Sequence, residues 1–450
     1  MRSIFLLPCI LFLASLSLSA QSPVLQSGPM VCYSEMRQVL LWVQTARPAR
    51  VRFLYREKGS SGKTRATPEV ATREADAFIA KVVVDSLEPG RRYTYELQID
   101  GRHVERPYPL EFQTQRLWQY REDPPSFTVA LGSCTYINEP PFDRPGTPYG
   151  GGYGIFTSIA ARHPDVMLWM GDNVYLREVD WGTREGIFHR YTHGRSLPEM
   201  QPLLGAAHNY AIWDDHDFGP NDADRSFRGR DLTREAFGLF WGNPGDGAAA
   251  PPGINTSFEW GDAEFFLLDN RTWRSPNRGR TGTRQILGEE QIRWLIDRMT
   301  TSNATFKIVV VGGQVLNPVS KFENHATYAA ERERLLELIA EEEIPGVLFL
   351  SGDRHHSELT MLPRTAVYPR TKSYPLYDLT VSPLTSQAYN DTTEANTLRV
   401  PGTYVGERNF ATLEFSGATG KRAMTIRMFT ADGREAWTRT ITESEIGGGR

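Results

Sequence analysis

The stretch VMLWMGDNVY, residues 166–175, drives an apolar run into Gly-Asp-Asn and then a tyrosine; VLFLSGDRHH, residues 347–356, repeats the plan with two histidines. Three more apolar runs finish in reactive groups. FTVALGSC ends at Cys134, HNYAIWDDHD at Asp214, Asp215, His216 and Asp217, and AEFFLLDNR at Asp269 and Arg271. Runs that stay apolar at every position suit strands covered on both faces. Between them, GIFTSIAARHP, GEEQIRWLIDRM and YAAERERLLELIAEEE carry apolar residues at helical spacing. Glu289 and Glu290 fall near the start of the second, where the helix dipole favours negative charge. From Phe127 onward the chain therefore reads as a layered α/β domain.

In an open α/β sheet the carboxyl ends of the strands converge on one rim, where ligands bind. If these strands are neighbours, at least four carboxylates meet two or three histidines there. Like charges so close cannot all stay ionised without compensation, and a bound multivalent cation supplies it. Each member also has a plainer reading. A Gly-Asp after a strand is ordinarily a turn, and WDDHDFGPND suits an acidic loop with helix-capping aspartates. His355 and His356 are adjacent and point opposite ways on extended backbone, so one of them lies off the site. Asp269 can serve simply to hold Arg271 in a salt bridge. Five strands ending this way in one domain carry the metal reading; no single one does.

Upstream, residues 24–115 read as short alternating strands: VLLWVQT, VRFLYRE, FIAKVVVDSL, RRYTYELQID and LEFQT, with Pro-Gly and Asp-Gly turns. The phrase LEPGRRYTYEL resembles a fibronectin type III sandwich, and size and strand number agree. RLWQYREDPPS, residues 116–126, reads as a linker to a catalytic domain over 127–435, and GNPGDGAAAPPG, residues 242–253, as a surface loop. The first 20 residues, with one Arg, an apolar stretch and small residues up to Ala20, read as a cleavable export signal, placing the mature chain outside the cytoplasm or in a periplasm. The apolar run is shorter than the roughly 20 residues of a membrane span, and no later segment is apolar enough to be one. Lys and Arg total 50 against 54 Asp and Glu, with no basic block, which argues against nucleic acid as a partner. Cys9 leaves with the signal. Cys32 and Cys134 remain, and an oxidising compartment would pair them; Cys134 is otherwise an inert core thiol or a metal ligand. Its place at a strand end favours the ligand.

The blocks GSC, GDNVY, WDDHDF, LLDNR and GDRHH, in this order, resemble the alkaline phosphatase D (PhoD-like) family of the calcineurin-like metallophosphatase superfamily. The resemblance covers essentially the whole mature chain and implies a four-layer α/β/β/α sandwich preceded by the small fibronectin III-like sandwich. It makes Asp172 the carboxylate shared by two metals. Cys134, Tyr175 and His355 would join it around a ferric ion, with Asp215 and Asp353 on a second metal, Asn221 serving substrate or that metal, and His216 as the catalytic histidine. The family's association with iron and calcium implies Fe3+ and Ca2+, in two or three sites, with Zn2+, Mn2+ or Mg2+ as alternatives at the second. Phenolate and thiolate suit trivalent iron, and carboxylate oxygens suit calcium. Three features depart from the family pattern: Asp217 stands where glutamate is expected, Gly219-Pro220 occupies the following turn, and the segment after Tyr175 is long and rich in Arg and His.

The activity so implied is hydrolysis of a small phosphate ester, most simply a phosphomonoester, with a phosphodiesterase or phospholipase D-type activity as the alternative. A non-catalytic surface protein braced by metals is the reading from another class, and the retained His216 speaks against it. Arg271, Arg177 and Arg184 are candidates for holding phosphoryl oxygens, and Arg177, Arg184 and Arg195 for lining the mouth; Arg271 is equally readable as structural. Gln314, after VVVGG, falls where the superfamily often places a further ligand.

Overall fold

The computed structural model describes residues 24–247, 253–363 and 374–447. The proposed signal with Cys9, and residues 248–252 of the Gly/Pro/Ala-rich loop, lie outside the described residues. Two sheets stack face to face. One has nine strands in the order Glu435–Thr442, Ala423–Thr430, Asn409–Ser416, Phe127–Gly132, Val166–Met170, His208–Ile212, Leu25–Ser34, Val39–Thr45, Ile79–Val84. The other has six: Thr256–Trp260, Ala263–Leu267, Phe306–Val310, Val347–Ser351, Leu376–Thr380, Glu358–Leu362.

The unbroken apolar runs are explained by what covers each face. In Val166–Met170, residues 166, 168 and 170 enter the core between the sheets, where Leu131, Ile212, Phe265, Ile308 and Leu348 meet them. The alternate residues Met167 and Trp169 face a helical layer with Ile155, Tyr191 and Phe240. On the six-stranded sheet, Leu348 and Leu350 join the inter-sheet core, whereas Val347 and Phe349 pack on Leu295 and Leu335 of helices Glu289–Thr301 and Ala329–Glu341. The two-residue period of a strand thus partitions one apolar run between two cores. Helices lie outside both sheets, completing the four layers α/β/β/α.

The N-terminal region is all β, and Arg50–Glu57 and Arg92–Ile99 form the centre of a separate small sheet. A core of Val31, Leu41, Phe53, Val82 and Tyr95 lies between that sheet and the strands Leu25–Ser34, Val39–Thr45 and Ile79–Val84. Those three strands also extend the nine-stranded sheet. Leu25–Ser34 runs parallel to His208–Ile212 with Val31 opposite His208, and antiparallel to Val39–Thr45. Side chains reinforce the seam: Asn209 Nδ2 donates to Val31 O at 3.0 Å, and Tyr210 OH accepts from Ser34 N at 3.0 Å. The stretch 116–126 connects the two regions without strand or helix, yet hydrogen bonding bypasses it, because the seam pairs what would otherwise be an exposed strand edge. At the other end the sheet runs to Thr442, past the boundary read at 435. Among the described residues no helix is long and apolar enough to cross a membrane.

Candidate metal centre

The reactive strand ends come from both sheets, not from neighbours in one. Cys134, Asp172 and the 214–217 block follow strands of the nine-stranded sheet, and Asp353 and His355 follow a strand of the six-stranded sheet. The stacked edges close on each other tightly: a Cβ on Gly352 would sit 2.6 Å from Ser133 Oγ. Backbone conformation marks the same place. Cys134, Asp172, Asp353 and His355 hold φ of +61°, +51°, +66° and +55°. Left-handed backbone is uncommon outside glycine and persists where surrounding structure enforces it, typically at functional sites.

Ligand atoms of Cys134, Asp172 and His355 lie within 4.8 Å of one another, and so do those of Asp172, Asp215 and His216. Asp172 belongs to both groups. Tyr175 completes the first: its hydroxyl is 3.1 Å from Asp172 Oδ2 and 3.2 Å from His355 Nε2. Cys134 Sγ is 3.6 Å from Asp172 Oδ2 and accepts from Ser382 Oγ at 3.2 Å and Ser133 Oγ at 3.5 Å. Among the described residues both cysteines are free thiols, so pairing with Cys32 is not what Cys134 does.

Burial, and then neighbouring anions, push the carboxyls of Asp172 and Asp353, the Cys134 thiol and the Tyr175 phenol well above their ordinary values. Burial pushes Asp215 up too, but His216, Arg271 and the N–H of Asp222 outweigh it and hold that carboxyl low. Burial lowers His355 to about 4, leaving a neutral imidazole. Asp215 Oδ1 and His216 Nδ1 are buried without a hydrogen-bond partner. Orphaned polar atoms, converging anionic donors and a soft-plus-hard donor set fit multivalent cations at these two groups.

A third group, Asp214, Asp215 and Glu323, also brings its oxygens within 4.8 Å. The protein supplies its own cation there. Arg271 Nη2 contacts Asp214, lies 2.6 Å from Glu323 Oε2 and is 3.9 Å from Asp215 Oδ1, while Arg274 pairs with the other Glu323 oxygen at 2.7 Å. Glu323 has no motif around it in sequence; only the fold of the loop after Phe306–Val310 brings it in.

The remaining predicted residues sort by what they touch. His216 packs its ring 4.2 Å from that of Tyr175, and its backbone N–H donates to Asp172 Oδ1. Asp217 accepts from the backbone N–H groups of Asn173 and Asp214, tying the two acidic loops together. Asn221 is exposed with its amide on Asp222 Oδ1, and that turn reaches the cluster through Asp222 N–H, 2.7 Å from Asp215 Oδ2. Asp269 accepts from Trp213 Nε1 and Thr272, and touches Arg271 only at its backbone N–H, so the expected side-chain salt bridge is absent. Gln314 is bound to Glu358, Thr380 and Asn317 and is spent there. His356 lies off the site, near Glu358 and Tyr404. Arg177 is buried with its guanidinium over the Tyr136 and Tyr175 rings. Arg184 and Arg195 do not line the mouth: the first pairs with Glu235, and the second is buried on Trp241.

Comparison with known proteins places this geometry. Residues 22–117 match a domain of unknown function (DUF7800). Alkaline phosphatase D of Bacillus subtilis (strain 168) is 23% identical over 352 residues, 64% of this chain, and the match spans only 58% of that relative's length. A solved structure of PhoD superposes with a TM-score of 0.73 at 17% identity, covering 95% of this chain and 94% of its own. Purple acid phosphatase PPD1 from yellow lupin (Lupinus luteus) seeds follows with a TM-score of 0.67 at 13% identity, over 93% of this chain and 75% of its own. The two lower-identity structures speak to the fold alone. Residues 129–428, two-thirds of the chain, match the model of the PhoD-like phosphatases, and the chain belongs to that family.

Proposed function

We propose that this chain is an exported, metal-dependent phosphoric ester hydrolase. The observation that carries the reading is Asp172, whose carboxylate is common to two groups of converging ligand atoms. Cys134, Tyr175 and His355 would hold an iron(III) ion with Asp172, and Asp215 and Asp353 would hold calcium or another hard divalent ion beside it. Bound there, the cations supply neutralisation of the phosphoryl charge and a more acidic water.

The chain's own residues do the rest. The backbone N–H of His216 on Asp172, with Asp217 bonded to Asn173, fixes the histidine beside the shared carboxylate. Burial lowers the proton affinity of its ring, and the Asp215 carboxylate, with Oδ2 3.9 Å from Nε2, offsets part of that. A proton held there is available to the departing alcohol oxygen. Arg271 holds Asp214 and Glu323 and so keeps the 214–217 loop in place; it is a positioning residue.

Alkaline phosphomonoesterase activity is the first reading, and a phosphodiester is favoured by one specific feature. A monoester carries more negative charge, yet Arg271, Arg184 and Arg195 are each committed to carboxylates or aromatic rings. The assay is turnover of 4-nitrophenyl phosphate against bis(4-nitrophenyl) phosphate by protein loaded with iron and calcium. Hydrolysis of either supports the hydrolase reading and the ratio assigns the ester class. Hydrolysis of neither rejects it in favour of a metal-braced binding protein. The N-terminal 20 residues are read as the export signal, which N-terminal sequencing of the mature protein tests.

A further inference from the structure

Among the described residues seven large apolar side chains are substantially exposed, and four of them stand on loops connected to the metal centre: Phe142, Val179, Phe322 and Tyr389. Phe142 lies beside Asp143, which accepts from Tyr136 OH, and Tyr136 packs on Tyr175. Val179 stands two residues after Arg177, whose guanidinium covers the same two tyrosine rings. Scattered exposed apolar residues need no explanation; exposed rings that pack on residues of the ligand-bearing loop are not scattered.

Two of the four are held in place by the ligand loop itself. Tyr389 is 48% exposed, and its ring lies parallel to the His355 imidazole at 5.1 Å and 13°. Its backbone N–H donates to His355 O, and its hydroxyl is 3.5 Å from Tyr149 OH, itself 3.4 Å from His355 Nδ1. Phe322 is 67% exposed, with the guanidinium of Arg354 5.2 Å from its ring centre. Arg354 is immobilised by Glu394 at 2.5 Å. The two exposed rings therefore rest on consecutive residues, Arg354 and His355, of the loop that also carries Asp353. Phe322 and Glu323 hold φ of +45° and +39°, so the strained backbone that sends Glu323 inward to Arg271 keeps Phe322 outward.

We propose that Tyr389 and Phe322 are specificity-determining residues that receive a planar ring on the alcohol portion of the phosphate ester, an aryl-bearing or nucleoside-like group. The inference rests on the hydrolase reading above and adds the substrate's organic part to it. Aromatic rings offer flat faces that stack on a planar group, whereas an aliphatic chain of the same size gains only burial. The polar groups of the two residues beneath the rings are already engaged: Arg354 is held by Glu394 and Gln314, and the His355 ring has the Tyr149 hydroxyl 3.4 Å from Nδ1. A sugar or other polyhydroxy alcohol would meet few free hydrogen-bonding groups on these two residues.

The test compares benzyl phosphate with n-hexyl phosphate, similar in apolar size and leaving group but differing in planarity, or their methyl diesters if the diester is the better substrate. Wild-type enzyme should favour the benzyl ester in kcat/KM. Tyr389→Ala and Phe322→Ala should each lose about 2- to 12-fold more kcat/KM on the benzyl than on the hexyl ester, the size of one aromatic contact. Retained turnover of the hexyl ester shows in the same assay that each variant is folded and metal-loaded. Equal wild-type efficiency on the two esters, or equal losses in the variants, overturns the ring inference alone. Hydrolysis of none of the esters overturns the hydrolase reading, and this inference with it.

Discussion

Arg271 Nε donates to Asp214 Oδ1 at 2.6 Å, and neither side chain is more than 1% exposed. A guanidinium so enclosed, with Glu323 on its far side, is the counter-charge for acidic residues that have no solvent to share. Breaking a buried pair from one side leaves an uncompensated charge, at about 3–5 kcal/mol. Arg271→Met should lower the unfolding free energy by that order, read from urea denaturation of metal-free protein. Arg271→Lys, which keeps the charge but not the fork, should lose part of that stability while inhibition by inorganic phosphate stays the same. A variant with unchanged stability and tenfold weaker phosphate inhibition would instead put Arg271 against the substrate.

Asp172 and His216 touch through a backbone hydrogen bond but are assigned different work, and substitution should separate them. Asp172→Ala should remove metal from both groups and abolish turnover, since both share its carboxylate. His216→Ala should keep the metals, measured by elemental analysis, and reduce kcat by about 10²–10⁴, the range for a lost acid–base group. Full activity in His216→Ala would end its assigned role.

The extent to which this arrangement was legible in sequence depends on the kind of signal. Val166–Met170 and Val347–Ser351 were readable as strands because burial on both faces removes every polar position. The strand Leu25–Ser34 was not, since Gly28-Pro29 in its middle carries the composition of a turn. Its pairing with both Val39–Thr45 and His208–Ile212 is a tertiary fact that no local pattern encodes. The same holds within the site. Cys134, Asp172, Asp215 and His355 announce themselves by ending apolar runs, whereas Glu323 and Tyr389 sit in loops of ordinary composition. Arg184 and Arg195 look alike in sequence to an arginine that lines a cleft. Which way a helix turns its arginines is decided by packing: Trp241 takes Arg195, and Glu235 takes Arg184.

Cys134 and Tyr175 predict a colour. A thiol and a phenol whose ordinary proton affinity is raised by burial bind as anions only to a strongly charged ion, and iron(III) with such ligands absorbs visible light by charge transfer. Natively purified protein should be coloured, and Tyr175→Phe should lose the phenolate band while Cys134→Ser loses the thiolate band. Colourless, iron-free protein with full activity would reject this ligand set.

The seam between the N-terminal region and the main sheet should be acid-sensitive through His208. Its ring is buried, donating from Nδ1 to Cys32 O at 2.8 Å and accepting at Nε2 from Gln113 N–H at 3.1 Å, so the neutral tautomer is the one that fits. Burial lowers it from 6.5 to about 4. The unfolded chain therefore takes up a proton that the folded protein refuses. The associated stability is complete above pH about 6.5, falls as pH drops through that value, and is lost by pH about 4. Over that window it amounts to about 3 kcal/mol. His208→Asn lacks the titrating group, so the wild-type minus variant difference in unfolding free energy should shrink by that order between pH 7 and pH 4. The metal groups titrate in both proteins and cancel. A difference that stays constant with pH would mean that His208 is protonated in the folded seam, and that Gln113 N–H is not bonded to its Nε2.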